Sequence, residues 1–251
     1  MTKIDIISGF LGAGKTTLIK KLIEEAFTGE KLVLIENEFG EIGIDGGFLK
    51  DSGINITEMN SGCICCSLVG DFGTALAEVL EKYAPDRIII EPSGVGKLSD
   101  VIKAVLGVKE KVAEDSVVLN SFTTVADATK CKMYMKNFGE FYNNQVEHAG
   151  TIVLSRTGNM KEDKLQACID LIRTQNAEAS IITTPWDQIN GKQILDAMEK
   201  KNDLVKELLE EEDVCPECGH HHEHGEECDH DHDHDHHHDH DHDHEHHHDH
   251  D

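Results

Sequence analysis

Gly9-Phe10-Leu11-Gly12-Ala13-Gly14-Lys15-Thr16 decides the reading of this 251-residue chain. The stretch has the spacing G-x-x-x-x-G-K-T; it follows a short apolar run, Ile4–Ser8, and opens a helical pattern from Lys15 to Ala26. Strand, glycine-rich turn and helix in that order make a phosphate-binding loop. Gly9, Gly12 and Gly14 let the backbone turn tightly and aim N–H groups, that of Ala13 included, at phosphate oxygens, where the helix N-terminus adds positive potential. Lys15 is expected to neutralise the β- and γ-phosphates and Thr16 to ligate Mg²⁺, with Thr17 beside them in the first helical turn.

Outward from the loop, strands and helices alternate. Lys31–Glu36, Asp86–Glu91 and stretches near Val117–Val125, Gly150–Ser155 and Ser180–Thr183 read as strands. Leu76–Tyr83, Lys161–Asn176 and Gly191–Leu209 read as helices. Near-continuous apolar strands between amphipathic helices predict an α/β fold, a mostly parallel sheet with helices on both faces. The apolar pattern stops near residue 210. From Glu211 to Asp251 only Val214 and three cysteines are apolar. Such a segment buries too little to offset its ordering entropy, so the expected organisation is a folded domain over 1–210 and a disordered His/Asp-rich tail over 211–251.

Charge follows the same boundary. The chain has 23 bases and 49 acids, and no Lys or Arg lies beyond Lys206. Residues 207–251 hold 19 of the acids and 17 of the 18 histidines, which leaves residues 1–206 a net charge of −7. That balance disfavours nucleic-acid backbones and anionic membrane surfaces as partners. No apolar run reaches the length of a membrane span, and the N-terminus lacks the features of a signal peptide. Six of the eight cysteines cluster, three as Cys63-Ile64-Cys65-Cys66 and three in the tail, which reads as metal ligation in a reducing compartment, the cytoplasm.

Three further constellations carry chemistry. Glu91, in Glu91-Pro92-Ser93-Gly94, ends an apolar strand, where a carboxylate orients water or Mg²⁺ near the γ-phosphate, and Gly94 leaves the next loop free to respond to it. Cys63, Cys65 and Cys66 offer three soft ligands that can converge on one tetrahedral Zn²⁺, with a further donor available in Glu36-Asn37-Glu38-Phe39-Gly40-Glu41. In the tail, Cys215 and Cys218 form a CxxC pair ahead of His220, His221 and His222 and an Asp-His alternation, many similar sites suited to Zn²⁺, Ni²⁺ or Co²⁺ and to collecting metal at high local concentration. Cys131, Cys168 and His148 have no partners nearby in sequence and read as structural.

Taken in order, Gly9–Thr17, Glu36–Asp45, Gly62–Cys66 and Glu91–Gly94 resemble the CobW family of metallochaperone GTPases, over roughly residues 1–160. The resemblance implies a P-loop NTPase fold, slow hydrolysis of GTP with Mg²⁺, and transfer of Zn²⁺, or of cobalt or nickel, to a client metalloprotein. It also implies that Cys63, Cys65 and Cys66 hold the metal with Glu36 and Glu41 nearby. Two departures stand out. The family's guanine-reading Asn-Lys-x-Asp falls on Ser155-Arg156-Thr157-Gly158, so the acid that accepts from guanine is a glycine, which opens the site to ATP. Arg156 has a stem long enough to stack on a purine, and Asn159 is a candidate substitute acceptor. Second, the family's usual C-terminal domain does not follow the loop Thr183-Thr184-Pro185-Trp186, so a client surface is expected from a partner or from a homodimer. Trp186 itself reads either as a packing residue or as a platform for the base. Two alternatives compete with a metal-delivering GTPase: a metal-storage protein with a vestigial nucleotide site, and an accessory GTPase of nickel enzymes.

Overall fold

A computed structural model of the chain describes residues 1–36, 56–60, 71–109, 112 and 116–200. Seven strands are present among them: β1 (Thr2–Gly9), β2 (Leu32–Glu36), β3 (Ile56–Asn60), β4 (Arg87–Glu91), β5 (Val117–Asp127), β6 (Thr151–Ser155) and β7 (Ser180–Ile182). They form one sheet in the order β3-β2-β4-β1-β5-β6-β7, and every pairing is parallel. The helices are α1 (Lys15–Glu25), α2 (Asp71–Tyr83), α3 (Leu98–Lys109), α4 (Cys131–Asn137), α5 (Gly139–Glu147), α6 (Glu162–Arg173) and α7 over 191–200.

The period of two in each strand explains how such apolar runs are buried on both sides. Ile4 and Ile6 of β1, Val33 and Ile35 of β2, and Ile88 and Ile90 of β4 join one core with α2 through α6. Ile7, Leu32, Leu34 and Ile89 point the other way, into a second core under α1 and α7. Helix α1 enters that core through Leu18, Ile19, Leu22 and Ile23, a single helical stripe. The result is the three-layer α/β arrangement the sequence predicts.

At the strands' N-terminal ends lies a buried ionic cluster. A register shift between Ile4 and Asp5 makes Asn120 an extra residue in β5, and both Asn120 and Ser121 donate to Asp5. Arg87, at the start of β4, pairs with Asp5 and with Glu30 (2.6 Å), reaches Glu199 of α7 at 3.2 Å, and stacks over Phe27. This cluster ties α7 to the end of the sheet opposite the glycine-rich loop.

Several boundaries differ from expectation. Helix α1 stops at Glu25, with Ala26 as its cap, while β1 and β5 run longer than their apolar cores. Strand β3 and helices α3, α4 and α5 are additions. Strand β3 pairs only with β2 and, as an edge strand, needs little hydrophobic patterning. The boundary near residue 210 and the tail lie outside the described residues.

Candidate nucleotide site

The loop after β1 is shaped by what its glycines permit. Gly9 has φ 148°, and a Cβ there would collide with the carbonyl of Val125 on the neighbouring strand. Gly14 has φ 108° and is the cap from which α1 starts. Helix α1 therefore begins at Lys15, its unpaired N–H groups facing the crevice at the C-terminal ends of β1 and β4. That crevice is where successive connections leave the sheet toward opposite sides, the usual place for a ligand in an open parallel sheet.

Three predicted residues meet there. Thr16 Oγ1 donates to Glu91 at 3.1 Å and 3.3 Å, and Lys15 Nζ lies 3.9 Å from the same carboxylate. Burial holds the Lys15 ammonium below its ordinary value, and the charge of Glu91 offsets only part of that. A lysine in this state gains when polyphosphate arrives, because new negative charge restores its favoured form. The Thr16 hydroxyl and Glu91 carboxylate form a pair of hard oxygens, the donor type magnesium takes.

The row extends across the sheet. Glu91 is the register partner of Glu36, and Glu36 of Asn60, so the ends of β4, β2 and β3 are aligned. Glu36 is buried, at 4% exposure. Glu41, Cys63, Cys65 and Cys66, and Cys215, Cys218, His220, His221 and His222 in the tail, lie outside the described residues.

The loop after Glu91 is held from both sides. A Cβ on Gly94 would sit 2.8 Å from the Leu11 backbone nitrogen. On the other side the buried Gln145 side chain of α5 donates to the Gly94 carbonyl at 3.1 Å and the Gly96 carbonyl at 2.8 Å. Gln145 carries no motif and is found only from the structure.

A cleft of about 340 Å³ adjoins the loop, lined by Ala13, Gly14 and Thr17, by the turn after β6 (Ser155, Arg156, Thr157, Gly158), and by Pro185, Trp186 and Asp187. Arg156, at φ 60°, turns its guanidinium onto the buried carboxylate of Asp127 and the Gly12 carbonyl (2.9 Å), so its charge braces the phosphate loop while its stem borders the cleft. Asp127, which also accepts from the Thr129 hydroxyl at 2.6 Å, is a second residue no motif reveals. Trp186 is a packing residue: its indole N–H donates to the Leu154 carbonyl at 2.9 Å and its ring packs on the second core, and the residue also borders the cleft. Asn159 is not among the lining residues. Gly12 contributes through its carbonyl, and Gly94 through its contact with Leu11.

One expectation is corrected. Cys131 and Cys168 are neighbours in the fold: both are buried, and their mutual interaction pulls the Cys131 thiol down and pushes Cys168 up. They remain structural, joining α4 to α6. His148 is exposed at the end of α5, its Nδ1 3.1 Å from the Asn144 carbonyl.

Fold and loop together define a P-loop nucleotide-binding domain. Residues 3–183 match the family described as CobW/HypB/UreG, nucleotide-binding domain, and the chain belongs to that family. It is 34% identical over 197 residues to the zinc chaperone CobW of Sinorhizobium sp, covering 68% of this chain and 55% of that protein. It is 31% identical over 193 residues to the zinc chaperone YjiA of Escherichia coli, covering 74% and 58%. The fold is shared with the Zn(II)-bound YjiA GTPase of E. coli, at a TM-score of 0.52 and 23% identity over 76% of this chain and 62% of that one. The chain thus spans little more than half the length of the curated relatives it matches. Among the described residues no helix is long and apolar enough to cross a membrane.

Proposed function

We propose that the chain is a GTP-hydrolysing metallochaperone of the cytoplasm that delivers Zn²⁺, with Co²⁺ and Ni²⁺ as alternative cargo, to a client metalloprotein. Lys15, Thr16 and the amides of the Gly9–Gly14 loop hold the triphosphate, and Glu91 orients the attacking water. Mg²⁺, held by Thr16 and Glu91, supplies charge neutralisation to the phosphates when bound. Cys63, Cys65 and Cys66 carry the metal with Glu36 and Glu41, and the tail collects metal for them through Cys215, Cys218 and its histidines.

The observation that supports this reading is the aligned row of strand ends. Thr16 bonds Glu91, Glu91 is the register partner of Glu36, Glu36 that of Asn60, and Cys63 follows Asn60 by three residues in sequence. A change at the γ-phosphate felt by Glu91 is transmitted to Glu36 and the thiol stretch through adjacent backbones. The names of the curated relatives, zinc chaperones, support the same cargo.

The experiment compares Zn²⁺ binding to the full chain and to its Cys63→Ala/Cys65→Ala/Cys66→Ala form, by chelator competition, with GDP and with a non-hydrolysable GTP analogue. The tail contributes equally to both proteins. The expected result is a nucleotide-dependent component that vanishes in the triple variant. Equal binding by both proteins, unmoved by nucleotide, refutes the coupling. Phosphate release no faster than from a Lys15→Ala chain favours metal storage instead.

A further inference from the structure

We infer that Asp187 reads the nucleotide base, and that its carboxylate makes the cleft selective for guanine. The inference rests on the nucleotide-binding reading above and adds the residue that chooses the base.

Asp187 is the one carboxylate among the ten residues that line the cleft. The one cation there, Arg156, has its guanidinium committed to Asp127 and the Gly12 carbonyl. Asp187 is exposed and has no hydrogen bond or ion pair among the described residues. Its position is nevertheless fixed by its neighbours. Gln188 N–H donates to the Pro185 carbonyl at 2.9 Å, closing a turn with Asp187 in its third position. Trp186, in the second position, is anchored through its indole to Leu154 of β6. The turn therefore presents a free acceptor at a defined place on the rim.

The chemistry then selects the base. An ionised carboxylate only accepts. Guanine offers it two adjacent donors, N1–H and the 2-amino group, whereas adenine turns an unprotonated N1 toward the same position. Hydrogen bonds to a charged acceptor are the strong class, and a site built on them discriminates against a base that leaves the acceptor unpaired.

The test is competition of GTP, ATP and XTP against fluorescent methylanthraniloyl-GTP on the full chain. XTP carries a carbonyl in place of the guanine amine. Against wild type, GTP is expected to compete roughly tenfold or more better than ATP. In the isosteric Asp187→Asn chain GTP weakens and XTP tightens, each by roughly tenfold, because the amide donates to the new carbonyl. A Cβ at Gly158 meets only Pro185, at 3.7 Å, so an acid fits against the same turn. Asp187→Ala/Gly158→Asp is accordingly expected to recover part of the GTP preference that Asp187→Ala loses. Asp187→Asn with unchanged GTP preference and no gain for XTP overturns the inference while leaving nucleotide binding intact. Equal competition by GTP and ATP in the wild type also overturns it. Failure of wild type to bind the fluorescent nucleotide at all refutes the nucleotide reading and this inference together. Thermal melting of each variant within a few degrees of wild type establishes that the fold is kept.

Discussion

Replacing Gly94 by alanine adds one methyl group where two functional loops meet. The new Cβ would lie 2.8 Å from both the Leu11 backbone nitrogen and Leu11 Cδ2, and 3.0 Å from Leu11 Cα. The Leu11 side chain is 57% exposed and swings aside easily, but its backbone does not. Leu11 follows Phe10, whose ring packs on Tyr134 and Phe138, and precedes Gly12, whose carbonyl Arg156 holds. Nor can the Gly94 segment retreat, since Gln145 grips its carbonyl from behind. Ordinary contact begins near 3.4 Å, so one loop must give by about 0.6 Å. Overpacking on this scale costs roughly 1–3 kcal/mol. For a chain of this size that lowers the melting temperature by roughly 2–12 °C. The displaced loop carries the phosphate-binding amides, and small misplacements of reacting groups are expensive, so hydrolysis should fall by roughly tenfold or more. The assay is phosphate release at saturating Mg–GTP, paired with a thermal melt. Leu11→Ala alone should change stability by no more than about 0.5 kcal/mol, and added to Gly94→Ala it should not rescue. A Gly94→Ala protein with wild-type turnover and melting temperature, or full rescue by Leu11→Ala, refutes the backbone argument.

Arg87→Met should destabilise the fold by roughly 3–5 kcal/mol in urea titration, because it strands the fully buried Asp5 carboxylate; a loss below about 1 kcal/mol counts against a structural role for the pair. Burial pushes Glu199 up, but hydrogen bonds from Lys3, Asn120 and Arg87 outweigh it and hold its carboxyl below the ordinary 4.5. A folded-state value below the unfolded one means stability that is present above the unfolded value and lost as pH falls through the folded one. The stability gap between wild type and Glu199→Gln should therefore be full at neutral pH and close in acid; a gap that widens in acid contradicts the assignment. Lys15 is held low in the free protein, so nucleotide binding should take up protons and weaken as pH climbs toward the ordinary lysine value of 10.5. Calorimetry in buffers of different ionisation heats reads that uptake, and its absence throughout the alkaline range contradicts the lowered state.

The phosphate loop was legible because its requirements are local. Gly9, Gly14, Lys15 and Thr16 lie within eight residues, and their spacing alone implies strand, turn and helix. Glu91 was legible for a related reason, an acid ending an otherwise apolar strand. Asp127, Gln145 and Asp187 act across distances in sequence that no spacing records. Asp127 meets Arg156 29 residues later, and Gln145 reaches Gly94 51 residues earlier. The same limit hid the pairing of Cys131 with Cys168, which look solitary because α4 and α6 are joined only through the fold. Helix α3 is different: Leu98, Val101, Val105 and Val108 carry plain helical spacing, so its signal is present in the sequence. Strand β3 has only Ile56 and Met59 as apolar residues, too few to announce a strand on pattern alone.

The shared register of Asn60, Glu36 and Glu91 works as a ruler cut into the backbone. Neighbouring strands lie about 4.8 Å apart, so the end of β3 stands about 10 Å from the strand that carries Glu91, a span that no side-chain substitution alters. Slipping the ruler by one residue would turn every β2 side chain onto the wrong core, which both hydrophobic layers forbid. The spacing along this row of strand ends is therefore a property of the backbone, and substitutions in the sequence beyond Asn60 leave it unchanged.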